Sequence, residues 1–103
     1  VPLEAGRRYR MTCQLRVDDI APPELAPKLK CELHKDGKYL GNIYTHAYDL
    51  SKLGTWQKLE KVFTVAAGAD SGALALEKRT TKSVTATLYL DEVKLIPLPA
   101  KNP

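Results

Sequence analysis

The sequence predicts an all-β domain folded as an antiparallel sandwich, on three observations. Apolar and polar residues alternate with period two in several windows, clusters of Gly, Pro and Asp punctuate those windows, and no window carries the 3.6-residue apolar period of a helix. At 103 residues the chain is long enough for one hydrophobic core.

The elements follow in order. From Tyr9 to Val17, residues Tyr9, Met11, Cys13, Leu15 and Val17 fall on one face and Arg8, Arg10, Thr12, Gln14 and Arg16 on the other, the pattern of a half-buried strand. The stretch from Asp18 to Pro27 holds Pro22, Pro23 and Pro27. Proline fixes φ and removes a backbone donor, so a loop is expected there. Leu29, Cys31 and Leu33 then alternate with Lys28, Lys30, Glu32 and His34. Asp36-Gly37 reads as the centre of a type I′ hairpin turn, which needs positive φ at both positions. A two-residue turn would set Leu33 opposite Leu40, Cys31 opposite Asn42 and Leu29 opposite Tyr44. The stretch DLSKLG from Asp49 is expected to turn, and TWQKLEKVFTV from Thr55 to resume strand. After the turn signal of Gly68 to Gly72, short strands are expected at Ala73 to Glu77 and Ser83 to Leu90, with an irregularity at Asp91-Glu92 before Val93 and Leu95. Pro97 and Pro99 should end the last strand. The domain is thus expected over residues 1–96, with a proline-rich tail or linker over residues 97–103.

The formal charge of +4, from 16 basic and 12 acidic residues, is interleaved with apolar positions, without the dense basic stripe of a nucleic-acid binder. No apolar run approaches the roughly 20 residues that span a bilayer, so neither nucleic acid nor membrane is an expected partner. Cys13 and Cys31 lack the spacing of zinc or redox motifs. One disulfide or two buried thiols are allowed, and their inward positions favour thiols in the core.

No catalytic constellation is legible, and the chain is not expected to be an enzyme. His34 and His46 have no paired nucleophile, no serine sits in a Gly-x-Ser-x-Gly turn, and no glycine loop could cradle phosphate. Tyr44, His46 and Tyr48 alternate, so a regular strand would project all three from one face, as a sugar platform requires. Asn42 would add amide hydrogen bonds to hydroxyls. The hairpin register opposes this, because Tyr44 opposite Leu29 lies on the core side unless a bulge flips it. Arg8, Arg10 and Arg16, with Lys28 and Lys30, would form a basic stripe if their strands were neighbours.

Three segments resemble the galactose-binding-like jelly roll of carbohydrate-binding modules: LEAGRRYRMTCQLRV from Leu3, Thr55 to Val65, and LYLDEVKL from Leu88. The resemblance implies a non-catalytic module that binds a polysaccharide or oligosaccharide, extracellular or at the cell surface, as part of a larger glycan-processing protein. It also implies that Trp56 packs into the sandwich, and that Asp91 helps hold a structural calcium; the alternative for Asp91 is to cap a bulge. Members of the family carry a further stretch ahead of the segment matching Leu3, so the chain is expected to begin inside the domain. A sandwich so reduced would expose an edge able to pair with a neighbouring domain or a second chain. The other functional class is therefore a structural or assembly domain that binds no sugar.

Overall fold

A computed structural model of the chain describes residues 1–23, 25–77 and 83–99. Among the described residues six strands form two antiparallel three-stranded sheets, so the all-β sandwich is observed. The strands are β1 (Arg8–Ala21), β2 (Lys28–Lys35), β3 (Lys38–Tyr44), β4 (Trp56–Thr64), β5 (Ser71–Glu77) and β6 (Thr85–Pro97). One sheet has the order β4-β1-β6 and the other β3-β2-β5. Helix among the described residues is confined to one 3-10 turn, Leu50–Lys52, whose N-cap Asp49 accepts from the Ser51 amide.

The two central strands carry the clearest alternation and supply most of the core. From β1, Met11, Leu15 and Val17 are completely buried, with Tyr9 and Cys13 nearly so; Leu29, Cys31 and Leu33 answer from β2. Leu59 and Phe63 of β4, Val65 beyond it and Tyr48 complete one buried cluster. Each fully buried Val, Leu, Phe or Met among them contributes about 1.5–3 kcal/mol by leaving water. Cys13 and Cys31 are buried free thiols, and burial pushes both thiols up from their ordinary pKa. The N-terminal residues are tied to the second sheet, where Pro2 bridges Ser71 and the Leu3 amide donates to Asp70 at 2.9 Å.

Two expectations change on contact with the register. The Asp36-Gly37 turn forms with φ of 50° and 80°, and it pairs Lys35 with Lys38 and His34 with Tyr39. The next pair is Leu33 with Gly41. Leu40 is an extra residue on β3, a bulge that advances everything after it by one position. Cys31 consequently meets Ile43, and Tyr44 meets Lys30. Strand β1 also runs past the expected loop start, through Asp18 and Asp19 to Ala21, with a register shift against β6 between Val17 and Asp19.

In β6, Thr12 pairs with Lys94 while Gln14 pairs with Asp91, so Glu92 and Val93 together oppose Cys13. Glu92 takes a left-handed φ of 51°, and this is the expected irregularity. Strand β6 continues through Pro97, and the Leu98 amide still donates to the Arg8 carbonyl at 2.9 Å. Of the expected tail, residues 100–103 lie outside the described residues.

Candidate functional site

The bulge at Leu40 decides where the aromatic segment points. Tyr44 opposite Lys30 is turned to the outer face of its sheet, the reverse of the core side that an unbulged hairpin would give. There the Lys28 ammonium lies 4.2 Å from the centre of its ring, a cation–π contact. Asn42, two residues earlier on the same face, donates from Nδ2 to the Tyr44 hydroxyl at 2.9 Å. Strand β3 ends at Tyr44, which cancels the alternation expected beyond it. His46 is exposed, with Nε2 3.2 Å from the Lys58 carbonyl oxygen. Tyr48 is only 2% exposed, its hydroxyl lying 2.7 Å from the Thr55 carbonyl oxygen and 3.1 Å from that of Lys52. Of the four residues expected to make a platform, Asn42 and Tyr44 are together, His46 lies beyond the strand end, and Tyr48 is a core residue.

Asp91 is exposed on β6, and its Oδ1 accepts from the Glu92 amide at 2.8 Å, capping the bulge. Calcium takes six to eight oxygen ligands. Among the described residues no group of three or more His, Cys, Asp or Glu is placed to hold a metal. The basic stripe also divides, because β1 and β2 belong to different sheets. Arg10 is held to Glu60 at 3.0 Å, and Lys30 lies between Glu32 at 3.3 Å and Glu77 at 3.6 Å.

A different constellation occupies the outer face of β4-β1-β6. Arg16 of β1 pairs with Trp56 on one side and Tyr89 on the other. All three point outward, because Leu15 and Val17 point in. Trp56 and Tyr89 are each 50% exposed, which corrects the expectation that Trp56 packs into the core. Neighbouring strands lie about 4.8 Å apart, so the two aromatic residues stand roughly twice that apart with the guanidinium between them. Arg16 Nε donates to Asp18 at 2.7 Å, and the guanidinium carbon lies 5.5 Å from the centre of the Tyr89 ring. The Asp18 hydrogen bond raises the Arg16 pKa further, keeping the charge fixed.

Beyond this row the face is polar. The next pairings are Gln14 with Lys58 and Asp91, then Thr12 with Glu60 and Lys94. A shallow depression of about 190 Å³ is lined there by Arg10, Thr12, Gln14, Lys58, Glu92 and Lys94, among others. The face therefore offers apolar rings beside directional donors and acceptors. A signal for it exists in the sequence: Leu59, Phe63 and Val65 set the inward parity of their strand, and Trp56 has the other parity.

No protein-family model matches the chain, and no curated protein matches it.

Proposed function

We propose that the domain is a non-catalytic carbohydrate-binding module and that its ligand lies on the outer face of the β4-β1-β6 sheet. One observation carries the reading: two half-exposed aromatic residues, Trp56 and Tyr89, flank a fixed guanidinium in a single row across three strands. A pyranose presents a face of C–H groups that packs on an aromatic ring, while its hydroxyls need side-chain donors and acceptors. The row supplies the first, and Gln14, Lys58 and Asp91 supply the second. Each aromatic contact is worth about 0.5–1.5 kcal/mol by analogy with aromatic pairs. Affinity at a single site is accordingly modest, and tandem sites would raise it through avidity.

Trp56 is the only tryptophan, so its fluorescence reports directly on occupancy of this face. Affinity electrophoresis through gels containing neutral and acidic polysaccharides should retard the wild-type chain, and the retarding glycan should change the tryptophan emission. Trp56→Ala and Tyr89→Ala, with melting temperatures unchanged, should each lower affinity roughly three- to tenfold. Tyr44→Ala, on the opposite sheet, should leave retardation intact. Absence of retardation by any polysaccharide overturns the function; loss in Tyr44→Ala with retention in the other two overturns the assignment of the face.

A further inference from the structure

Strand β6 is an edge of its sheet, and no strand among the described residues pairs with its far side. Ten large hydrophobic residues are exposed among those described, and Tyr89, Leu90, Val93 and Ile96 all lie on this one strand. Its inner face is also short of cover. Leu88, Leu90 and Leu95 oppose Val17, Leu15 and Met11, which are completely buried, yet Leu90 remains 42% exposed. Leu88 and Leu95 are only partly buried against the core.

The bulge makes this edge complementary to itself. Before it, Tyr89 and Asp91 face outward; after it, Lys94 and Ile96 do, because Glu92 and Val93 share one position against Cys13. An antiparallel copy of β6, laid along the edge about a two-fold axis at Glu92-Val93, sets Asp91 opposite Lys94 of the second copy. The same register sets Leu90 opposite Leu95 and Tyr89 opposite Ile96 of the second copy. Every pair joins residues of the same face: opposite charges meet, and apolar residues meet apolar ones. In an unbulged strand this axis would set inner residues against outer ones, since a one-residue offset inverts the faces.

From these pairings we infer that the protein forms a symmetric dimer through β6, joining two three-stranded sheets into one continuous six-stranded sheet. Backbone groups on the free edge supply the ladder, and the two Asp91–Lys94 pairs set the register. Charges and bulges on an edge can also repel other strands. Here the charges are of opposite sign and are spaced to meet. The register also brings Pro97 of the second copy to Leu88, at an apolar groove of about 190 Å³ lined by Ile20, Leu76, Val84, Ala86 and Leu88 among others. A single edge ladder buries less than the roughly 1,200 Å² of a standard stable interface, so the dimer is weak and concentration-dependent. It leaves the outer faces open and sets two Trp56–Arg16–Tyr89 rows on one surface, although it does not depend on those rows binding sugar.

Sedimentation velocity of the 103-residue chain over a wide concentration series tests the dimer. The wild type should pass from monomer to dimer. Lys94→Glu sets a carboxylate against Asp91 of the second copy at both symmetric positions and should raise Kd at least about tenfold. The charge-exchanged variant D91K/K94E should recover the dimer, and where it fails to fold, Lys94→Glu with an unchanged melting temperature decides alone. A wild-type chain that stays monomeric up to about 1 mM, or a Lys94→Glu variant that dimerises like the wild type, overturns the inference.

Discussion

Tyr44 and Tyr48 are close in sequence and have opposite fates, one on an outer face beside Lys28, the other 2% exposed in the core. The inserted residue Leu40 turns Tyr44 outward, and the end of β3 at Tyr44 releases Tyr48 from that strand's alternation. The buried hydroxyl of Tyr48 has two carbonyl partners, those of Thr55 and Lys52. Tyr48→Phe keeps the ring and removes the donor, so urea denaturation should show a loss of about 0.5–1.5 kcal/mol. Glycan retention should not change, because this tyrosine has no outer surface to offer. A stability equal to wild type would show that the hydroxyl does not anchor the 50–55 turn. At this scale the sequence was legible where parity was uninterrupted: Tyr9 to Val17 face as expected. It misled at Trp56, where family resemblance outweighed the alternation of the strand itself.

At the scale of elements, the strands were easier to find than their partners. Period two marks β1 and β2 because one face of each is buried by the opposite sheet. It does not mark the bulges, since Leu40, Ile43 and Tyr44 permit either register on hydrophobicity alone. The expected start of the fifth strand at Ala73 also fell short, because Ser71 and Gly72 looked like the end of a turn. Gly72 is instead buried in β5 opposite Leu33. A Cβ there would approach Cys31 Sγ to 2.8 Å and Leu3 Cδ1 to 2.9 Å. Gly72→Ala overfills the junction between the N-terminal residues and the β2-β5 pair, and should cost about 1–3 kcal/mol. Thermal unfolding followed by circular dichroism measures this; an unchanged or raised midpoint would mean that Leu3 moves aside freely.

The whole molecule was legible as a class. Turn residues between half-buried strands leave few alternatives to two packed sheets, and two sheets are observed. Which strands share a sheet was not legible, because sequential strands joined by a proline-rich loop can pair or separate; β1 and β2 separate, dividing the basic residues between two faces. The same topology has a mechanical consequence. The start of β1 and the end of β6 lie side by side, with Tyr9 paired to Pro97 and the Leu98 amide bonded to the Arg8 carbonyl. Tension applied between these two points loads the ladder from one end, parallel to its hydrogen bonds, so the bonds break singly. Tension between Arg7 and Thr85 loads the same ladder in shear and strains many bonds at once. Single-molecule pulling with handles at Arg7 and Pro99 should therefore unfold the domain at a lower force than handles at Arg7 and Thr85, and equal forces would mean that the β1-β6 ladder is not the mechanical clamp. Held by residues 8 and 98, this domain would act in a tethered assembly as a compliant fuse, opening before a sheared neighbour does.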